Sequence, residues 1–464
     1  MVTPGKIVFV GLMLVARLSV AQDTTLPPLQ MLRAEEDYRP LGDDQFQPKN
    51  FWERIKYLPL SFRKDHFLSI GGEVRYQYEF FHNNNWGEGI QDPSGWWLQR
   101  YMLHTHWQLG RFRLFAQLQS GLLLGARPDP RGIDQDVLGW HQAFAEYRFL
   151  REQKAELTAR LGRQELWYGS RRLVSVREGP NLRQSFDAVR LLYRRAGWQV
   201  DAFASYFVDN AFGVLDNIRL TEERLWGVYA VVDYPLKLPF HTDMYYLGFQ
   251  SPFREYQEGL VDQTRHSFGI RWWKTEGNFH FNNEAVYQIG SSSVGDIRAY
   301  TLSFDVNYQF PALAFRPQVG IKTEIISGDE ATGDGRLGTF NALYPRGAYF
   351  GLIALIGPSN LIDVHPSLEL HLTKNTALVL DWDVFWRHQT ADGVYGPNAT
   401  LQRSGAESDE RYLGHQPGFE MAYEPSRYWQ LALEGSWFLS GDFFAETGTG
   451  ENILHFVTTV RFKF

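Results

Sequence analysis

An all-β transmembrane barrel of about eighteen antiparallel strands is the fold class this sequence predicts, and three observations predict it. Segments of alternating apolar and polar residues recur along most of the chain. The joins between them alternate between short and long, and the first residues read as an export signal. An apolar-out, polar-in dyad with short turns at one end and long loops at the other is the pattern of an outer-membrane barrel.

Composition closes off the rivals. Aromatic residues make up 16% of the 464, with 42 Gly, no Cys and a net charge of -7. So many aromatics exclude a disordered chain, and the lack of Cys excludes a disulfide framework and thiolate chemistry. Past the N-terminus no apolar run reaches the roughly 18 residues a spanning helix needs. A mildly acidic chain without a clustered basic surface is not built for nucleic acid.

Residues 1–21 carry Lys6, an apolar stretch from Ile7 to Val15 and the small-x-small end Ser19-Val20-Ala21. These are the parts of a cleavable signal peptide. Residues 22–65 form an N-terminal arm, expected at the periplasmic mouth or inside the lumen, and residues 51–58 within it suit a short helix. Residues 66–464 are expected to form the barrel.

Strands are expected near 66–81, 96–110, 111–122, 139–149, 154–165, 186–195, 196–208, 223–235 and 243–251. They continue near 264–274, 277–290, 296–310, 313–327, 360–373, 375–389, 410–424, 427–439 and 452–464. In the first, Ile70, Gly72, Val74, Tyr76, Tyr78 and Phe80 alternate with Gly71, Glu73, Arg75, Gln77 and Glu79. In the last, Leu454, Phe456, Thr458, Val460, Phe462 and Phe464 share one face, ending on an aromatic. The even joins, such as Gly110-Arg111 and Glu424-Pro-Ser-Arg427, are short. The odd joins 82–95, 123–138, 166–185, 209–222, 328–359, 390–409 and 440–451 are long and rich in Gly, Asn, Asp and Pro. Both chain ends then fall in the periplasm, and the long joins are extracellular. Aromatics near strand ends, among them Trp96, Trp97, Tyr245, Trp272, Trp273, Trp382 and Trp437, suit an interfacial girdle.

Several stretches resemble the alginate-export family of outer-membrane barrels: SIGGEVRYQYE at 69–79, LQRYMLH at 98–104, FAQLQSG at 115–121 and HQAFAE at 141–146. The most specific is RLGRQELWYGSRRLV at 160–174, continuing to FD at 186–187. TEIISGD at 323–329 and GTFNALYP at 338–345 match the family's long-loop region. The resemblance implies an eighteen-stranded barrel in the Gram-negative outer membrane and passive export of an anionic polysaccharide through an Arg-lined pore. Its partners would be outer-membrane lipid, the anionic saccharide and periplasmic export proteins. One departure is Glu424-Pro-Ser-Arg427, a minimal turn where polymer-handling members can carry a long one.

Candidate pore residues follow from charge. Between Arg160 and Arg195 there are nine Arg, at 160, 163, 171, 172, 177, 183, 190, 194 and 195, against Glu165, Glu178 and Asp187. Guanidinium groups bind carboxylates through a two-pronged fork and stay charged, and charges at membrane depth face a watery cavity. Arg160, Arg163 and Arg190 are therefore the first candidates. Arg75, Arg100, Arg148, Arg271, Arg316 and Arg387 are added by strand parity. The bland alternative has Arg171 and Arg172 at lipid headgroups and Arg194 and Arg195 marking a turn. Lys322 and the acids Glu73, Glu146, Glu284, Asp305, Glu324, Glu369, Asp381, Asp383, Glu420 and Glu434 share the inward parity, which suits structural ladders. His104 and His106 share a face without a third ligand, and the acidic loop 328–335 lacks EF-hand spacing. No metal site and no cofactor are expected. No Gly-x-Ser-x-Gly, Walker or dinucleotide motif appears, so no catalytic residue is expected. The expected function is an anion-selective channel for anionic saccharides. The alternatives are a porin for small anionic solutes such as organic acids and, from another class, an outer-membrane hydrolase.

Overall fold

A computed structural model describes residues 26–43, 46–92, 94–125, 131–152, 155–234 and 238–464. The signal expected at 1–21 lies outside the described residues. Eighteen strands form the wall. They are β1 (His66–His82), β2 (Trp96–Leu109), β3 (Phe112–Gly125), β4 (Asp136–Glu152), β5 (Ala155–Gln164) and β6 (Phe186–Arg195). Next come β7 (Trp198–Asp209), β8 (Ile218–Val232), β9 (His241–Tyr256), β10 (Gly259–Lys274), β11 (Phe279–Ser292) and β12 (Gly295–Gln309). The circuit ends with β13 (Gln318–Ile326), β14 (Leu361–His371), β15 (Thr376–Arg387), β16 (Tyr412–Tyr423), β17 (Trp429–Ser440) and β18 (Ile453–Lys463). Each pairs antiparallel with its sequence neighbours, and β1 pairs with β18 around Val74↔Phe462, so the sheet closes. Closure is obligatory in lipid, where an open edge would strand its N–H and C=O groups without partners.

Period-two alternation decides which side chain meets lipid. Leu103, Leu161, Val189, Phe304 and Ile321 are exposed on the outer face, while Glu73, Arg75, Gln77 and Glu79 of β1 are buried inside. The same period divides the expected girdle. Trp97, Trp272, Trp382 and Trp437 point outward, but Trp96, Tyr245 and Trp273 are buried in the lumen. Adjacent residues of one strand cannot share a face, so one member of each Trp pair had to turn in. Trp96 and Trp273 Nε1 donate to Glu79 and Asp243, each at 2.8 Å.

The short joins gather at one end. At Gly110 and Gly197 the chain reverses through positive φ, +66° and +75°, which glycine adopts without a Cβ penalty. The expected strand 313–327 is shorter, because Pro311 and Pro317 lack the N–H a ladder needs. Residues 310–317 are instead a turn closed by Phe310 N–H on Pro317 C=O at 2.8 Å. At the other end β9 and β10 run further than expected, meeting at 257–258, and β11 and β12 meet at 293–294.

The long joins 165–185 and 327–360 turn inward. Tyr168, Leu173, Val174, Phe340, Leu343, Tyr344, Tyr349 and Phe350 pack with Phe203, Tyr229, Leu247 and Phe385 of the wall in one cluster. The two loops meet through Tyr344 N–H on Leu173 C=O (2.9 Å), Ser175 N–H on Tyr344 C=O (3.0 Å) and Arg346 N–H on Arg171 C=O (3.1 Å). A Cβ on Gly121 would lie 2.4 Å from Leu182 Cδ2, so any larger residue at this wall position would have to push the docked loop's Leu182 side chain aside. The join 441–452 adds a short helix, α2 (Asp442–Thr447), whose Phe444 stacks on Trp86 at 4.0 Å.

From the short-turn end the N-terminal arm enters. Its helix α1 (Phe51–Arg54) is capped by Asn50, which accepts from Glu53 N–H at 3.0 Å. Arg33 donates to Gly72 C=O at 3.0 Å and to Phe464 C=O at 2.6 Å, while Ala34 packs on Phe115 and Phe144. Arg183 of the long loop donates to Met31 C=O at 3.0 Å. Arm and loop, entering from opposite ends, touch inside the barrel.

Candidate functional site: the charged lumen

Seven of the nine candidate arginines reach the lumen from strand positions, and there most of them act as clamps. Arg100 bonds Glu73 at 2.7 Å and Glu178 at 2.5 Å. Arg160 spans Glu146 and Glu35, both at 2.9 Å, and lies 4.5 Å over the Phe144 ring. Arg190 pairs with Asp201, Arg271 with Asp243 at 2.7 Å and Arg148 with Glu156 at 3.2 Å. Arg75 holds the loop instead: it donates to the C=O groups of Glu178 (3.0 Å), Gly179 (3.2 Å) and Pro180 (2.7 Å). Arg387, fully buried, likewise gathers a loop, donating to Thr390, Ser408 and Glu410 C=O at 2.8, 2.6 and 2.9 Å.

Two candidates lie elsewhere. Arg163 sits on the outer face, opposite Ala143 and Asp187 in register, and bonds Asp187 at 2.9 Å. Arg163 follows Arg160 by three positions, an odd offset that puts the two on opposite faces of the strand. Together with Trp140, Leu215 and Asn217 it lines a cavity of about 300 Å³ near the long-loop rim. Arg316 is exposed in the turn at 310–317. The headgroup alternative for Arg172 is also overturned: it bonds Glu284 and Glu324 inside, each at 2.9 Å.

Three further cations without a carboxylate partner among the described residues lie on the two inward loops, at their junction. Arg171 lies over the Trp167 ring at 4.8 Å. Arg177 donates to Pro345 C=O at 3.4 Å, and Arg346 to Tyr349 C=O at 3.1 Å. All three are half-buried. Burial, with Arg346, Arg271 and Arg172 nearby, holds Arg171 down at about 9. Burial and Arg254 hold Arg177 at about 10. Burial lowers Arg346 too. Guanidinium groups stay charged at neutral pH, so the loop junction concentrates positive charge that no carboxylate among the described residues bonds directly. Charge counting over residues 160–195 does not reach Arg346, whose one signal in the sequence is that it follows directly on the family-like stretch at 338–345.

Opposite charge collects across the barrel. Asp363, Asp381, Asp383, Glu420 and Glu434 face inward from β14 to β17, with Glu420 and Glu434 directly paired in register. Asp363 on β14 is nine strands from Arg160 on β5, half of the circuit. Asp363, His365 and Asp383 converge there, a grouping that spacing along the chain does not reveal. His104 instead stacks on Phe115 with 5.3 Å between centroids, and His106 meets the same ring tilted, at 6.5 Å.

The structure is similar to solved porins. It aligns with OccK11 (OpdR) of Pseudomonas aeruginosa at 11% identity and TM-score 0.54, over 88% of this chain and 98% of that one. A BenF-like porin from Pseudomonas fluorescens Pf-5 gives 12% identity and TM-score 0.57, over 86% and 99%. OccK2 (OpdF) of Pseudomonas aeruginosa, solved in complex with glucuronate, gives 10% and 0.56, over 88% and 98%. At such identities the likeness is one of fold. No curated protein matches the chain. The alginate export family model matches residues 66–455. With most of its length matched and its barrel closed at eighteen strands, this chain belongs to the alginate export family of Gram-negative outer-membrane channels.

Proposed function

We propose that the channel passes anionic saccharides of the uronate class by passive diffusion, steered by the cations of the loop junction. The observation that carries this reading is the trio Arg171, Arg177 and Arg346, charged, half-buried and without carboxylate partners. A carboxylate entering there gains the forked guanidinium bonds that the wall arginines already spend on Glu73, Glu146 and Asp201. In a narrow passage such fixed charge repels cations and concentrates anions. The glucuronate held by the structurally similar OccK2 is a carboxylate of this size.

Passage of small organic acids is the second reading. It is favoured by a lumen crossed by two loops and by the turn of residues 424–428, which is short for polymer handling. Under either reading the purified barrel conducts alone, whereas polymer export would call on periplasmic partners. The test is chloride current through single barrels in a planar bilayer. Glucuronate and short uronate oligomers should reduce it in a saturable way, and neutral hexoses should not. Equal competition by acetate and benzoate would favour the organic-acid reading, and no competition by any carboxylate would end both.

A further inference from the structure

β14 and β15 bring Asp363, His365 and Asp383 together on the lumenal wall, with one donor atom from each within 4.8 Å of the others. Asp363 and Asp383 are 0% and 1% exposed. Neither carboxylate oxygen of Asp363 has a hydrogen-bond partner among the described residues. A carboxylate removed from water without donors is costly to keep charged, so it takes up either a proton or a cation, and the converging His365 and Asp383 donors favour the cation. The neighbouring cations are engaged elsewhere. Lys322, opposite His365 in register, sits 3.4 Å from Glu324 and 4.8 Å over each of the Tyr349 and Phe350 rings. Arg172 is held by Glu284 and Glu324.

We propose that Asp363, His365 and Asp383 bind one divalent transition-metal ion of the zinc class, with water completing its coordination. His365 Nδ1 lies 2.7 Å from Asp383 Oδ1, an ion-pair contact that opens to about 3.3 Å when both atoms ligate a tetrahedral ion bound at about 2.0–2.1 Å. One imidazole with two carboxylates suits zinc and its neighbours, whereas calcium and magnesium take oxygen ligands. His365 Nε2 faces Asp381 Oδ2 at 3.6 Å. A carboxylate behind a ligating ring fixes its tautomer and orientation, so Asp381 is a positioning residue. The ion would place two positive charges among the acids of β14 to β17, converting the wall opposite Arg160 from repelling to tolerating anions. The site stands independently of which solute passes.

The rival explanation is an imidazolium at His365 bonded to Asp383, with no metal. Full-length barrel in detergent, stripped with chelator, should be titrated with zinc chloride by calorimetry at neutral pH with millimolar magnesium present. One zinc per chain should bind, and Asp363→Asn and His365→Gln should each abolish saturable binding. Asp381→Asn should weaken it roughly 10- to 100-fold. Heat-resistant electrophoretic mobility reports whether each variant is folded. Zinc-edge absorption on the wild-type protein, which needs no variant, should show mixed nitrogen and oxygen ligands at about 2.0–2.1 Å. No saturable zinc in the wild type, or unchanged affinity in folded Asp363→Asn, overturns the proposal.

Discussion

Replacing Arg75 with Met should loosen the inward loop without opening the barrel wall. Arg75 is 1% exposed and gives three hydrogen bonds, of 3.0, 3.2 and 2.7 Å, to consecutive carbonyls at 178–180. Bonds from a charged donor contribute about 1.5–3 kcal/mol each, and part of the loss is recovered when water reaches the freed carbonyls. A net loss of roughly 3 kcal/mol shifts the docked-to-undocked ratio of the loop by about a hundredfold, at about 1.4 kcal/mol per factor of ten. The β-ladder of β1 uses backbone groups and is untouched. Single-channel recordings should show larger, noisier conductance, and limited proteolysis should cut between residues 175 and 185 faster than in the wild type. Unchanged conductance together with unchanged proteolysis would refute the clamp assigned to Arg75.

Other outcomes follow from the same geometry. Arg163→Ala should leave conductance and selectivity unaltered and cost under about 1 kcal/mol, because its partner Asp187 is a part-exposed outer-face contact; a selectivity change would place it back in the lumen. Cys introduced at Asn84 and at Ala391 should be labelled on intact cells, while Asp392→Cys should resist, since Asp392 is fully buried and bonds Thr339 at 2.6 Å; labelling all three alike would contradict the packing of that loop. Asp329, in the long loop, is pushed up to about 7 by burial and by Asp392 and other nearby acids. Its raised value means that loop packing is undisturbed below the ordinary carboxylate range and weakens as pH climbs through 7. Asp329→Asn, which keeps the bond from Gly338 N–H (2.7 Å), should therefore raise the melting temperature more at pH 8 than at pH 4; an equal effect at both would sink that argument.

What could be read in advance was local. Alternation of period two along Ile70 to Phe80 settles which face meets lipid, and turn chemistry at Gly110-Arg111 settles the hairpin. Parity also placed Arg100, Arg160 and Arg190 inside. What stayed hidden depends on contacts distant in the chain. Nothing near Val174 announces that it will bridge to Tyr344, and nothing near Arg33 announces Phe464. The fate of the wall arginines was hidden for the same reason: Arg160 looked free for solute until Glu35, from the arm, came to meet it. Arg316 stands outside the lumen because Pro311 and Pro317 keep residues 310–317 out of the strand, and Arg163 because its odd offset from Arg160 turns it to the outer face. The Asp363, His365 and Asp383 grouping joins residues twenty apart, across a register that only the paired strands reveal.

The most direct test of the account is the zero-current potential of the purified barrel across a potassium chloride gradient. Wild type should favour chloride despite the chain's net charge of -7, because narrow passages are governed by local fixed charge. The double change Arg171→Glu and Arg346→Glu should move the potential toward potassium, and changing the turn residues Arg194 and Arg195 should move it far less. Potassium preference in the wild type, or no shift in the loop variant, would contradict the claim that the loop-junction cations govern this pore.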